Sequence, residues 1–356
     1  MNPRISRHYA IIGHTPDAVE LRHGIWNPVS LTLTDEAKAG HLFSVLTSLD
    51  GSLSVAEIAR KLGLRRDDVE GVLDQLRDLG ALEEHGPRTA LDYYLDTITP
   101  GLKSLSQPSP TRFSSVLIMG DTDIAEEISG YLKESLPGDV SVSTAPDDEL
   151  QRIIFDADTS WLADGLAFSE KVHRFEAWRT CLTVLAMKDL NPIACRTLNR
   201  VSIAIGMPWF HAALDGPFVL IGPLFIPNRS SCYECFEMRV AMNLREHLSY
   251  QLYKNALVAG RVHGRVPCVH PALIGLVAAH VAMELLNFVF TGSTFTAQKL
   301  LGIYLPTMEF AFNDVLRLPG CPGCGSHPER DDKELFFGLE MLAQAQEDVL
   351  DGKGPR

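Results

Sequence analysis

Two Cys-x-x-Cys pairs, Cys232/Cys235 and Cys321/Cys324, constrain this chain more than any other feature. Thiolates are soft ligands, and four of them saturate tetrahedral zinc, leaving no open position for water. A tight turn such as Cys321-Pro-Gly-Cys324 aims two sulfurs at one ion. The pairs lie far apart in sequence, so a shared ion staples a long excursion back onto one domain. They predict a structural zinc site at Cys232, Cys235, Cys321 and Cys324. Two unrelated redox or buried pairs are the competing reading. Cys181, Cys195 and Cys268 remain from a total of seven cysteines. Cys181 and Cys195 read as small buried apolar side chains. Cys268, beside His270, is a weaker candidate nucleophile.

An odd cysteine count with paired C-x-x-C spacing argues for metal binding and reduced thiols rather than a disulfide framework. Met1 to His8 is polar and no apolar run follows, so a cytoplasmic location is expected. The 356 residues suggest two or three domains, at ~100–200 residues each. With 46% hydrophobic and 22% charged residues, the chain buries a sizeable core. Its net charge of −13 argues against a nucleic-acid partner, which needs a basic surface. The longest apolar stretch, Pro271–Phe290, carries His280, Glu284 and Asn287, each costly in a bilayer. It is therefore expected to be a buried helix, and no membrane partner is expected.

The pattern along the chain divides it into residues 1–86, a linker over 87–113, a domain over 114–330 and a tail over 331–356. In the first segment Tyr9–His14, Ala18–His23 and Pro28–Thr34 are strand-like, with Leu31 and Leu33 alternating with polar residues. Helices are expected over Asp35–Leu49, after a Ser54/Glu57 capping box, and from Asp67 to a stop at Gly80. This is a winged helix-turn-helix pattern. Pro87, Pro100, Pro108 and Pro110 punctuate the linker. In the larger domain Val116–Met119, Val140–Ser143 and Cys181–Met187 read as strands with helices between them, an α/β sheet. Helix is expected from Cys235 to about Leu257, and strand over Ala297–Val315. The acidic tail has Leu335, Phe336, Leu339, Leu342 and Val349 near helical spacing. It either folds onto its own domain or docks a partner subunit.

A buried strand followed by Gly120-Asp-Thr-Asp-Ile-Ala125 stands where a G-x-G-x-x-G phosphate loop would be. Thr122 and Ala125 replace the second and third glycines, and Asp121 and Asp123 add negative charge. These changes predict a degenerate nucleotide site at Gly120, Thr122 and Ala125, with no ATP bound. Asp189, Arg196 and Asn199 form a third candidate. In a nucleotide-activating enzyme the Asp would hold Mg²⁺ and the Arg would neutralise phosphate. Helix caps and surface contacts are the competing role, which the lost phosphate loop favours.

These residues carry a resemblance. The strand–Gly120 start, Gly206-Met-Pro208, Ile221-Gly-Pro223, Cys232-Tyr-Glu-Cys235, the Pro271-Ala-Leu-Ile-Gly275 helix with Glu284 and Gly292, and Cys321-Pro-Gly-Cys324-Gly325 look like the ThiF/MoeB-like, Rossmann-type fold over about residues 114–328. Within that fold the chain resembles the ocin-ThiF-like and SagC-like partner proteins of YcaO cyclodehydratases. The Leu316–Gly325 ending and the winged helix, similar to the PqqD-like recognition element of ribosomal-peptide pathways, select them. The resemblance implies a non-catalytic recognition and scaffold protein without chemistry of its own. It would bind the leader of a ribosomal precursor peptide at Val29, Leu31, Leu33, Arg66, Val69, Glu70, Leu73 and Arg77. It would deliver that peptide to a separate YcaO enzyme for ATP-dependent cyclisation of Cys, Ser or Thr to azolines. A homodimer through the ThiF-like domain is also implied. The alternatives are a ThiF-type ATP-dependent adenylating enzyme and a zinc-containing DNA-binding regulator. Against the latter, Asp67, Asp68, Glu70, Asp74 and Asp78 offset Arg65, Arg66 and Arg77.

Overall fold

The structure, a computed structural model, describes residues 2–26, 29–83, 89–99, 113–144, 148–263 and 268–325. Most of the expected linker and the whole acidic tail lie outside these residues. The chain divides into two compact units, Met1–Pro100 and Gly101–Arg356.

The first unit opens with β1 (Ala10–Thr15), β2 (Ala18–His23) and β3 (Val29–Thr34), an antiparallel sheet in the order β1-β2-β3. Alternation turns Val19 and Leu21 of β2 and Leu33 of β3 into the core. There they meet α1 (Leu42–Ser48), α2 (Val55–Leu62) and α3 (Arg66–Asp78). The Ser54/Glu57 capping box closes the start of α2. Val69, Leu73 and Leu76 form the buried stripe of α3, and Gly80 follows it at φ +66°. The helix expected from Asp35 begins only at Leu42. The Asp35 carboxylate accepts the Ala37 and Ala39 N–H groups and Asp17 accepts that of Gly40, so these side chains hold a turn instead. Inside the expected linker, α4 (Ala90–Ile98) forms behind a Thr89/Asp92 capping box. Tyr93 of α4 donates its hydroxyl to the buried Glu83 carboxylate, and the Arg7 N–H donates to the Tyr93 oxygen at 3.0 Å.

The second unit is a seven-stranded sheet in the order β10-β9-β8-β7-β6-β4-β5. Strands β4 (Ser115–Gly120), β5 (Ser141–Ser143), β6 (Cys181–Met187) and β7 (Trp209–Asp215) run parallel. Strands β8 (Phe218–Phe225), β9 (Lys299–Tyr304) and β10 (Glu309–Asp314) continue the sheet antiparallel. Every residue of β6 is buried, as a strand covered on both faces requires. Helices α5 (Thr122–Ser135), α6 (Asp148–Phe155), α7 (Gly165–His173) and α8 (Pro192–Ile205) belong to the parallel half. α9 (Tyr233–Asn243), α10 (His247–Val258) and α11 (Pro271–Thr291) follow. By length and composition α11 is the one described helix apolar enough to cross a membrane. Its Ile274, Val277, Val281 and Leu285 are buried in this unit, as is Glu284. The Glu284 carboxylate accepts the Thr296 N–H at 2.7 Å and the Thr296 hydroxyl at 2.6 Å.

Candidate metal centre and active-site crevice

The four paired cysteines converge. Cys232 is the N-cap of α9 and Cys235 lies in its first turn, while Cys321 and Cys324 sit on the turn after β10. All four sulfurs lie within 4.8 Å of one another. Neighbouring pairs are 3.9 Å (Cys232–Cys235), 3.7 Å (Cys232–Cys321) and 3.4 Å (Cys235–Cys324) apart. Tetrahedral bonds of ~2.3 Å to zinc place sulfurs ~3.8 Å apart, so the donors fit such an ion. Burial raises the Cys232 thiol, and the charges of Cys235, Cys324 and Cys321 add to the rise. A divalent cation removes that repulsion. Two backbone donors face the sulfurs: Leu318 N–H to Cys235 at 3.3 Å and Gly323 N–H to Cys321 at 3.4 Å. Gly323 is required by space, because a Cβ there would lie 2.8 Å from a Glu234 carboxylate oxygen and 3.2 Å from the Cys232 sulfur.

An ion pair sets the entry of α9. Arg200 grips Glu234 through Nε and Nη2, at 2.5 and 2.7 Å. Asn199 accepts the Tyr233 N–H at 2.9 Å and donates to Glu234 at 3.3 Å. Asn199 therefore holds the start of α9, which carries Cys235. Of the third candidate set, it is the member that is buried. Asp189 and Arg196 are exposed.

The expected phosphate loop is the junction of β4 and α5. Gly120 has φ +115°, and a Cβ there would fall 1.9 Å from the Ala186 carbonyl oxygen, so only glycine fits. Thr122 is the first residue of α5 and Ala125 is buried on its inner face. Asp121 accepts the Lys188 N–H at 2.7 Å. The Lys188 ammonium pairs with the Asp123 carboxylate, which also accepts the Ile124 N–H at 3.0 Å. A carboxylate thus occupies the N-terminal end of a 14-residue helix, beside a lysine. Helix end and ammonium both attract anions there. Strands β5 and β6 flank β4 on opposite sides, so this crevice is the topological switch point of the parallel half, where α/β sheets bind ligands. The sequence exposed Gly120 and its two aspartates. It did not expose Lys188, which only the β4–β6 register brings opposite them.

The expected leader-binding residues have mixed placements. β3 is an end strand of its sheet, with Val29 exposed, Leu31 half-buried and Leu33 buried. Val69 and Leu73 are core residues, 0% and 5% exposed. Arg66 and Arg77 are paired with Glu70 and Asp74. The concavity beside β3, about 600 Å³, is lined on α3 by Asp68, Gly71, Val72 and Gln75 instead. Their helical spacing beside the apolar stripe was the available signal.

The chain matches no protein-family profile and no curated protein. Among solved structures, 91% of it superimposes on the heterocyclase TruD (TM-score 0.62, 19% identity). A heterocyclase in complex with substrate and cofactor matches over the same share (0.60, 16% identity). The chain spans 43% and 39% of those two proteins, less than half their length. E. coli MccB matches in its MccA-N7isoASN and ATP complexes (0.52 and 0.50; 15% and 14% identity), over 91% of this chain and 100% of MccB. These similarities correct the expectation of a non-catalytic recognition and scaffold protein, because the same architecture belongs to a heterocyclase and to an ATP-bound protein. The expectation that ATP is excluded falls with it, since a solved structure of this fold contains ATP. What the chain shares with MccB along its whole length, and with TruD over less than half of that protein, is a ThiF-like α/β fold.

Proposed function

We propose that this chain is an ATP-using enzyme of the ThiF-type adenylating class that modifies a ribosomally made peptide. The crevice at the start of α5 is the observation that carries this reading. Its Lys188 and helix end attract a phosphate, and Asp189 stands next in sequence, exposed, for Mg²⁺. The Asp123 carboxylate now pairs with Lys188 where this reading puts the phosphate. Its side chain is 43% exposed, so it swings away at little cost when a nucleotide enters. With a nucleotide bound, Asp189 would hold Mg²⁺ and Lys188 would neutralise the phosphates. A peptide carbonyl or carboxylate oxygen attacks the α-phosphorus, and pyrophosphate leaves.

The remaining parts serve that chemistry. The Cys232/Cys235/Cys321/Cys324 centre binds zinc and holds α9 to the turn after β10. The first unit acts as a PqqD-like winged helix, taking the precursor leader as a strand on β3 near Val29 and Leu31. The protein works in the cytoplasm as a homodimer. The chain matches 43% and 39% of two heterocyclases, which favours one further reading: a YcaO-type partner supplies the remainder of a heterocyclase. ATP–pyrophosphate exchange tests the proposal. Exchange that depends on an added precursor peptide and disappears in Lys188→Ala is expected. Absence of exchange with and without the partner chain would overturn it.

A further inference from the structure

Helix α10 is uncovered among the described residues: none of its 12 residues is buried. A helix of that length is marginal by itself and is held by packing an apolar face. Tyr250 and Lys254 turn toward α9, where both donate to the Glu237 carboxylate, at 2.7 and 2.8 Å. Leu248 and Leu252 are four residues apart and share the opposite face, 71% and 59% exposed. Arg245, two residues before α10, and Arg261, three after it, are exposed. Among the described residues neither has an ion-pair partner. The face is thus apolar in the middle and cationic at both ends.

The tail outside the described residues has the complementary pattern. Over 331–356 it holds seven acidic residues against three basic ones. Leu335, Leu339, Leu342 and Val349 recur at helical spacing. Asp332 and Glu334 stand at one end of that stripe, and Glu347 and Asp348 at the other. In a helix Glu334 and Glu347 lie ~20 Å apart, against ~18 Å for the length of α10 between its two arginines. The starting point is close as well. The Gly325 N–H donates to the Cys321 carbonyl oxygen at 2.8 Å, and the Cys321 sulfur lies 3.7 Å from that of Cys232 at the start of α9. From Gly325 the chain reaches up to ~33–36 Å by Leu335, about twice the ~16 Å length of α9. Another exposed apolar stretch, Phe310 and Phe312 of β10, is flanked by Glu309 and Asp314, which repel an acidic segment.

We propose that residues 331–349 dock as an amphipathic helix on the outer face of α10. Leu339 and Leu342 then cover Leu248 and Leu252, and the two acidic ends meet Arg245 and Arg261. Burial of the leucines supplies the affinity, and the end charges fix the position along α10. The occupant is this chain's own tail, not a second copy or a separate partner. The docking involves neither nucleotide nor zinc, so it stands or falls apart from the proposed function.

Amide hydrogen exchange, read by mass spectrometry on the full chain without ATP, is the test. Amides of α10 and of residues 335–349 are expected to be protected together, to the same degree at every protein concentration. Leu339→Asp with Leu342→Asp should speed exchange in α10 at least tenfold while α8 holds. Leu248→Asp with Leu252→Asp should do the same to residues 335–349. Charge reversal adds a readout that misfolding of a variant cannot mimic. Arg245→Glu with Arg261→Glu should release the tail. Adding Asp332→Lys, Glu334→Lys, Glu347→Lys and Asp348→Lys to that chain should restore protection to both segments. An unprotected α10 or tail, indifference of each to the other's variants, or reversal without rescue would overturn the proposal. So would protection that fades on dilution, since the occupant is then a second copy.

Discussion

His211 shows what single residues contribute and how they are tested. It is fully buried on β7, its Nδ1–H donates to the Gly222 carbonyl oxygen at 2.8 Å, and its Nε2 faces no partner among the described residues. Burial lowers its pKa to about 4. The unfolded value is ~6.5, so between these limits the unfolded chain binds the extra proton. Stability is therefore full above pH ~6.5 and falls as the pH drops toward 4, by about 3 kcal/mol for this group. Melting curves between pH 7 and 4 should show the decline, and His211→Phe should flatten it. Parallel curves would remove His211 as its source. The cysteines were fully legible at this scale, because ligand spacing is written in the chain. His211 was not, since its burial depends on strands that meet only in the folded sheet.

At the scale of elements, local signals predicted what local physics controls. The capping box at Ser54 and the strand of the unbroken apolar run Val116–Met119, in β4, appear as read, because each depends on neighbours in sequence. The start of α1 was missed because Asp35 and Asp17 bond backbone groups outside any periodic pattern. The hairpin of β7 and β8 was missed because its two continuous apolar runs show no period. Glu284 marks how α11 ties into this sheet. Its carboxylate takes donors from Thr294 and Thr296, and the Thr296 carbonyl accepts the Leu224 N–H of β8 at 3.2 Å. Glu284→Ala leaves those donors buried without an acceptor and should cost ~3 kcal/mol. The melting temperature should then drop by roughly 6–12 °C. A change within 1–2 °C, on the order of ordinary surface substitutions, would show that this loop is not held through Glu284.

For the whole molecule, the staple and the crevice are separate claims. The purified chain should carry one zinc per chain by plasma mass spectrometry. Cys321→Ser with Cys324→Ser should lose it and lower the melting temperature. Metal-free protein that melts identically would show that the thiols pack without an ion. The proposed nucleotide site was only half legible: Gly120 and its aspartates stood in the sequence, whereas Lys188 joined them through the parallel pairing of β4 and β6. That pairing sets the Lys188 ammonium against Asp123 at the start of α5, where the proposal puts a phosphate. Calorimetric titration of the full-length chain with Mg²⁺ and ATP tests this most directly. The account predicts saturable binding that weakens at least tenfold in Lys188→Ala and tightens in Asp123→Asn, where the competing charge is gone. Absence of binding in the wild type and in Asp123→Asn alike would contradict it.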